Sequence, residues 1–264
     1  MSIIMVSIFS LILGAILSIV ASRIPKGEED VSWVWPFCNS CGKKLSLKEI
    51  FIPANLIIYK GKCPNCKHPT HSRSLQITLL TIFIYISLYL KFGITIQFFA
   101  FLILMSILIA VFFIDMDHKI IPEDLIIAGL AGGIPLFIYN IFYEFPIYMD
   151  RSWWNPLAGA LSVSILLLLI AIIGNWYYKT DAMGIGDVKL FIPIGIFLGW
   201  RMVIMAFILS AFVGSFITII MMLLKVKKLR DVVPFGPFIV TGTFLTILFG
   251  NDILNWYLQF YQYN

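Results

Sequence analysis

Two carboxylates stand where an apolar run of the chain meets a polar segment. Asp115 lies in FIDMDHKIIPED, directly after the apolar run from Ile107 to Ile114, and Asp187 lies in GIGDVK. An ionisable group at the depth of a membrane surface is costly to keep, so it is read as functional by default. Two such carboxylates, brought from distant parts of a chain to one membrane face, share a proton and activate a water between them. The pair therefore predicts an aspartyl hydrolase.

The segment around Asp187 also has a structural interpretation. Gly184 and Gly186 leave the backbone without side chains, which lets another segment approach it closely. The same position suits an N-terminal cap for the helix that follows, and on local sequence alone a cap is a fair alternative to catalysis.

The other acids near Asp115 are expected to have structural roles. Asp117 points to a different side of its helix from Asp115 and is expected to be solvated. Glu123 and Asp124 follow Pro122 and are predicted to be favourable charges at the N-terminus of the next helix. Asp115 and Asp187 therefore remain the two candidate catalytic residues.

The elements that must position these residues are membrane helices. Apolar residues make up 60% of the 264 residues and charged residues only 12%, far from the balance of a soluble domain. A span needs roughly 20 apolar residues, which predicts an all-α polytopic membrane protein with about eight transmembrane helices. The sixth and eighth are short and rich in Gly and Pro, so seven spans or a re-entrant segment stay open. The predicted spans are Ile3–Val20, Leu75–Leu90, Gln97–Ile114, Leu125–Tyr143, Leu157–Tyr177, Leu190–Trp200, Met202–Leu224 and Phe238–Gly250.

The basic residues predict the orientation of these spans. Sixteen of the 19 Lys and Arg residues fall on one side, and only Lys91, Arg151 and Arg201 fall on the other. The positive-inside rule places the first group, with both candidate aspartates, in the cytoplasm. The net charge of +5 follows from this bias and from anionic lipid headgroups, so no nucleic-acid partner is expected. The predicted interfacial aromatic anchors are Trp153, Trp154, Trp200 and Trp256.

Three parts of the chain are predicted: a first transmembrane helix at 1–22, a cytoplasmic four-cysteine domain at 23–74 and a membrane domain at 75–264. The first helix is expected to be retained, because SRIPK follows it without a small-residue cleavage pattern. The second part holds all four cysteines as two CxxC pairs separated by 21 residues, a spacing close to that of four-thiolate zinc sites. Two disulfides are the alternative, but they are rare in the cytoplasm. The expected structural zinc ligands are Cys38, Cys41, Cys63 and Cys66.

Several segments resemble one family. FIDMDHKIIPEDLI, GIGDVKLFIPIGIFLGW and VVPFGPFIV look like the three membrane-domain blocks of the type IV prepilin peptidases. The first span, GAILSIVASRIP, is similar to the family's opening helix, and the double CxxC loop occupies the family's place for it. The resemblance covers nearly the whole chain. It implies the fold of the GxGD intramembrane aspartyl proteases, with Asp115 and Asp187 matching the two catalytic aspartates and no metal in the cleavage chemistry.

The resemblance also implies the substrates and a second activity. The substrates would be prepilins and pseudopilins, which carry a short basic leader, a glycine before the scissile bond and an apolar helix after it. Many family members also methylate the new amino terminus with S-adenosylmethionine, an activity associated with the cysteine loop. This chain keeps Arg73 but has Ser74, Leu75 and Thr78 where the family has Tyr, Pro and Glu. Peptidase activity without methyl transfer therefore stays open as an alternative.

Two other classes of protein fit part of the pattern. A transporter or channel would use intramembrane acids as ion ligands or proton relays, but it would place them near the middle of spans and show an internal repeat. A membrane-anchored zinc adaptor would explain the cysteines but would leave the GxGD segment without a role.

Overall fold

The computed structural model describes residues 3–24, 41–42, 62–67, 72–150, 152–178, 184–225 and 233–262. Within these ranges the regular elements are seven α-helices and one short 3-10 helix. They are α1 (Ile3–Arg23), α2 (Ser72–Phe92), α3 (Ile96–His118), α4 (Glu123–Phe142), a 3-10 helix (Pro146–Tyr148), α5 (Asn155–Tyr178), α6 (Ile185–Leu223) and α7 (Gly236–Gln262).

The chain divides into two compact units, Met1–Leu90 and Lys91–Asn264. In the first unit, α1 and α2 approach closely where α1 has a glycine. A Cβ atom on Gly14 would lie 2.9 Å from the Cα of Thr78, and the Ser74 hydroxyl donates to Ser18 Oγ at 3.0 Å. Small residues at such a contact are typical of packed membrane helices. The division of the sequence into 1–22, 23–74 and 75–264 stays a prediction, because most of 23–74 lies outside the described residues.

The second unit contains the helices that carry both candidate aspartates. Here α6 packs against α4, α5 and α7, while α3 packs against α4 and α7. The 39-residue α6 is not one straight helix, because Gly199 adopts φ 74° and ψ 171°, a conformation essentially restricted to glycine. The rings of Phe191 and Phe207 lie 6.0 Å apart, whereas 16 residues of straight helix would separate them by about 24 Å. The chain therefore reverses at Gly199, giving two arms, α6a (185–198) and α6b (200–223).

The reversal at Gly199 is held by the segment before α5. Asn155 accepts a hydrogen bond from the Trp200 backbone N–H at 3.1 Å and donates its side-chain amide to the Tyr148 carbonyl at 3.3 Å. The Tyr148 hydroxyl donates to the Ile196 carbonyl at 2.5 Å. Burial raises the pKa of Tyr148, so this hydroxyl keeps its proton and remains a donor. These bonds fix the end of α6a that lies away from Asp187.

The arm α6a is also held along its length by close helix contacts. Gly159 of α5 and Gly195 lie so close that a Cβ atom on either would overlap the other's backbone. On α4, a Cβ atom on Gly129 would lie 2.8 Å from Pro193. Both contacts depend on the missing side chains, which allow helix backbones to come together. A rigidly packed arm therefore carries Asp187.

All seven helices are long and apolar enough to span a membrane, which confirms the predicted all-α polytopic membrane protein. The predicted sixth and seventh spans are α6a and α6b, joined in one hairpin. The predicted last span, Phe238–Gly250, lies inside the longer α7, because Asn251 and Asp252 end the apolar run without ending the helix. Apolar side chains such as Leu169 and Ile173 on α5 are exposed, as expected for helices that face lipid. The protein is therefore a multi-pass membrane protein.

Candidate active site

Asp115 lies in the last turn of α3, three residues before the helix ends at His118. Its side chain is buried, with 6% exposed. The helix stops because Lys119 adopts the left-handed conformation and donates its backbone N–H to the Asp115 carbonyl at 2.9 Å. Asp117, two residues after Asp115, is exposed, as predicted. The two acids therefore occupy different environments, although they share one helical turn.

The Asp115 carboxylate accepts a hydrogen bond from the first residue of α7. The Gly236 backbone N–H donates to Asp115 Oδ2 at 2.8 Å. A Cβ atom at this glycine would lie 2.6 Å from Oδ2 and 3.0 Å from the Asp115 carboxyl carbon. A helix N-terminus leaves its first N–H groups without intrahelical partners and favours negative charge. Gly236 therefore supplies both the donor and the space that this carboxylate requires.

Asp187 lies in the first turn of α6a and is half-buried. The N-cap of the helix is Gly184, whose carbonyl accepts the Asp187 backbone N–H at 3.2 Å. The alternative prediction, in which Asp187 caps this helix, is therefore wrong. The carboxylate remains available for another role.

The structure brings the segments that carry the two aspartates together at one end of the second unit. A Cβ atom on Gly186 would lie 3.0 Å from Ile121 Cβ, so the segment that follows Asp115 packs directly against the residue before Asp187. Asp115 is close enough for its charge to act on Asp187. The two acids are 72 positions apart in sequence, yet the packing places them at a common site. Such a pair can hold one proton and activate a water.

Two features of the site have only weak signals in the sequence. The PFGP segment predicts a rigid turn before α7, whereas the structure shows that its glycine N–H binds Asp115. Lys189 forms an ion pair with Glu123 across α6a and α4, and local sequence predicts only that Glu123 is a helix N-terminal charge. The structure does confirm that the first turn of α4 contains Glu123 and Asp124.

Three of the four cysteines form a cluster in the first unit. The Sγ atoms of Cys41, Cys63 and Cys66 lie within 4.8 Å of one another. The predicted fourth ligand, Cys38, lies outside the described residues. Gly42, the residue after the first pair, has φ 67°, a left-handed conformation that glycine adopts without strain. Lys67, the residue after the second pair, has φ 55°.

The distances fit a thiolate zinc site. The Sγ atoms of Cys41 and Cys63 are 3.8 Å apart, too far for a disulfide bond of about 2.05 Å. Four sulfurs arranged tetrahedrally at about 2.3 Å from zinc are separated by about 3.8 Å. The distance between the Cys41 and Cys63 sulfurs matches this separation, so the three cysteines can bind a metal.

Two family models match the chain. The model described as "Type IV leader peptidase family" matches residues 102–219, which include both aspartates. The model described as "Bacterial Peptidase A24 N-terminal domain" matches residues 8–92, which include the cysteines. The fold and these two models thus define a multi-pass membrane protein of an aspartic peptidase class. The chain belongs to the type IV leader peptidase family, and the resemblance seen in the sequence is confirmed.

Curated relatives match over nearly the full length. A protein from Bacillus subtilis (strain 168) named "Prepilin leader peptidase/N-methyltransferase" is 29% identical, covering 96% of each chain. A protein of the same name from Pseudomonas aeruginosa is 27% identical over 96% of this chain and 92% of its own. One from Legionella pneumophila is 25% identical over 97% and 94%. No solved structure matches the chain significantly.

Proposed function

We propose that this protein is a membrane aspartyl endopeptidase that removes the short leader from type IV prepilins and pseudopilins at the cytoplasmic face of a bacterial membrane. One observation carries the proposal: Asp115 and Asp187 lie at adjoining ends of two apolar helices, and the Gly236 N–H donates a hydrogen bond to Asp115. The family and the names of the relatives support the same activity.

In this mechanism the two carboxyl groups hold one proton between them. The ionised carboxylate takes a proton from a water, whose oxygen attacks the scissile carbonyl carbon, while the protonated carboxyl gives its proton to the carbonyl oxygen. The tetrahedral intermediate then collapses: the carbon–nitrogen bond breaks and a proton passes to the leaving amine. Gly236 keeps the Asp115 carboxylate in place during these steps because its N–H is fixed at the start of α7.

The position of the site supports a substrate that is itself anchored in the membrane. Asp115 follows an apolar helix directly, so a site here lies near the end of a span rather than in its middle. A prepilin held by its own apolar helix would present its leader at this depth. The bias of basic residues, sixteen against three, supports a site that faces the cytoplasm. The same placement argues against a transporter, which would need acids near mid-membrane.

We propose methyl transfer from S-adenosylmethionine to the new amino terminus as a second activity. The relatives' names include this function, and the N-terminal domain model covers the part of the chain around the cysteines. Thr78, which stands in place of the family's glutamate, is buried against Gly14, so this position serves helix packing here. No residue of this chain is assigned to the methyl donor.

The zinc site is proposed to be structural. Cys38, Cys41, Cys63 and Cys66 would hold the ion, and the three described sulfurs already have suitable spacing. Zinc bound by four thiolates has no open position for a substrate and stabilises the fold around it. It would therefore cross-link the loop between α1 and α2 without taking part in cleavage.

Incubating the purified protein with a pilin-like substrate tests the proposal. The wild type is expected to release the leader by one cut after its glycine, and added S-adenosylmethionine is expected to methylate the product. Failure to cut any prepilin, by protein that is folded and inserted in lipid, would refute the peptidase proposal.

A further inference from the structure

We propose that Lys189 and Glu123 form a clamp that positions Asp187 against Asp115. The pair joins the start of α6a to the first turn of α4, and Lys189 follows Asp187 by two residues in the sequence. Both are positioning residues. The inference rests on the proposed peptidase function and adds to it the contact that sets the geometry of the two acids.

Two contacts hold α6a near Asp187, one made by the residue before it and one by a residue just after it in the sequence. Gly186 packs on Ile121, and Lys189 binds Glu123. Residues three apart lie on the same face of a helix, so one face of the first turn is fixed to the segment 121–123. Asp187 lies next to that face. The close glycine contacts hold the rest of α6a, and these two contacts fix its first residues, and with them the Asp187 side chain, against the segment that follows Asp115.

Local structure does little to hold this turn. The N-cap, Gly184, makes no side-chain capping bond, and helix N-termini without such a bond keep unpaired backbone N–H groups. Gly184 and Gly186 also lack side chains that could pack against neighbouring elements. The position of Asp187 therefore depends on contacts from other elements, and the Lys189–Glu123 ion pair is one such contact among the described residues.

Glu123, the second residue of the clamp, is connected to Asp115 by a short segment of the chain. Only seven residues separate Asp115 from Glu123, and the left-handed Lys119 and the extended Pro122 give this connection a defined path. Glu123 is also favoured at the N-terminus of α4 by the helix dipole. A displacement of α6a relative to α4 therefore becomes a displacement of Asp187 relative to Asp115.

The clamp is expected to affect rate more than stability. The side chains of Lys189 and Glu123 are 43% and 71% exposed, and exposed ion pairs contribute little to stability. A misplacement of about 1 Å in a catalytic group, by contrast, can slow a reaction by up to about 100-fold. The kcat for leader removal is thus the sensitive quantity, while KM and the melting temperature are not.

Isosteric single variants and a charge exchange test the clamp. Lys189→Met and Glu123→Gln are each expected to lower kcat about tenfold, with KM and melting temperature unchanged. The exchanged variant, Lys189→Glu with Glu123→Lys, is expected to recover kcat to within about threefold of wild type. High salt should lower the kcat of the wild type but not that of Lys189→Met, because salt screens only an existing pair.

A second exposed ion pair provides the matched control. Lys91 Nζ lies 2.8 Å from Asp252 Oδ2, with side chains 38% and 65% exposed. Asp252 is 16 residues beyond Gly236 on α7, about 24 Å along the helix. Lys91→Met and Asp252→Asn therefore remove a similar pair far from the carboxylates, and both are expected to keep wild-type kcat.

The outcomes separate the clamp from the proposed function. Wild-type kcat in Lys189→Met, or an exchanged variant as slow as either single variant, would overturn the clamp while leaving the peptidase intact. Equal losses in the Lys91 and Asp252 variants would also overturn it, because the effect would not depend on the site. A wild type that cuts no prepilin would instead refute the proposed function.

Discussion

The contact between Gly236 and Asp115 makes Gly236→Ala a demanding test of the site. The new methyl carbon would lie 2.6 Å from Asp115 Oδ2 and 3.0 Å from its carboxyl carbon, whereas nonbonded carbon atoms prefer separations of about 3.5 to 4.0 Å. The carboxylate would have to move by about 1 Å and would weaken its 2.8 Å hydrogen bond to the Gly236 N–H.

The size of the effect follows from this displacement. A hydrogen bond to a charged group contributes about 1.5 to 3 kcal/mol, and a shift of about 1 Å in a catalytic group costs up to about 100-fold in rate. Together the two figures give a fall in kcat of about 10- to 100-fold, or about 1.4 to 2.7 kcal/mol of activation free energy. KM should change little, because Asp115 acts in the chemical step. Folding should not suffer from helix propensity, since alanine is a better helix former than glycine.

Time courses of leader removal from a pilin-like substrate in lipid would measure both constants. Gly250→Ala is the control: it lies on the same helix, about 21 Å away along the axis, and its Cβ would meet the flexible Met202 Sδ at 3.0 Å. This control should keep wild-type kcat. A Gly236→Ala protein with normal melting temperature and kcat would show that this backbone N–H does not position the Asp115 carboxylate for catalysis.

Three further predictions follow from the structure. Cys63→Ser should lower bound zinc in metal analysis of the purified protein because a ligand is lost; stoichiometric zinc without Cys63 and Cys66 would place the metal elsewhere. Gly199→Ala should lower the free energy of unfolding by about 1 to 3 kcal/mol, since its Cβ would overlap Asn155; an unchanged unfolding midpoint would contradict the strained turn. With S-adenosylmethionine, Cys63→Ser should still cut substrate but leave it unmethylated, and an unmethylated wild-type product would restrict the protein to peptidase activity.

The sequence alone predicts the helices well because membrane spans need long apolar runs, which composition reveals directly. It also predicts Asp115 and Asp187 as candidate site residues, because a carboxylate at the end of such a run is costly and unusual. The sequence does not decide whether the region of α6 forms two spans or a re-entrant segment. Hydropathy does not show that Gly199 reverses the chain, since the reversal depends on φ 74° at that residue and on bonds from Asn155 and Tyr148.

The contacts that complete the site are harder to predict because they join distant segments. Gly236 reaches Asp115 across 121 positions, and Lys189 reaches Glu123 across 66. Neither contact has a local period or spacing that a sequence pattern could reveal. A glycine beside two prolines predicts a turn, but only the packed helices show which carboxylate its N–H binds. The cysteines are the opposite case, because the spacing within each CxxC pair brings two sulfurs together locally.

Asp115 and Asp187 are proposed to act as one catalytic unit, which mass spectrometry of the reaction products can test. Wild-type protein, Asp115→Asn, Asp187→Asn and the double variant would each be incubated with the same pilin-like substrate. We expect one product cut after the leader glycine for wild type, losses of several powers of ten for each single variant, and little further loss for the double variant. Near-normal cleavage by either single variant, in protein that inserts and holds zinc like wild type, would show that the two aspartates are not the catalytic pair.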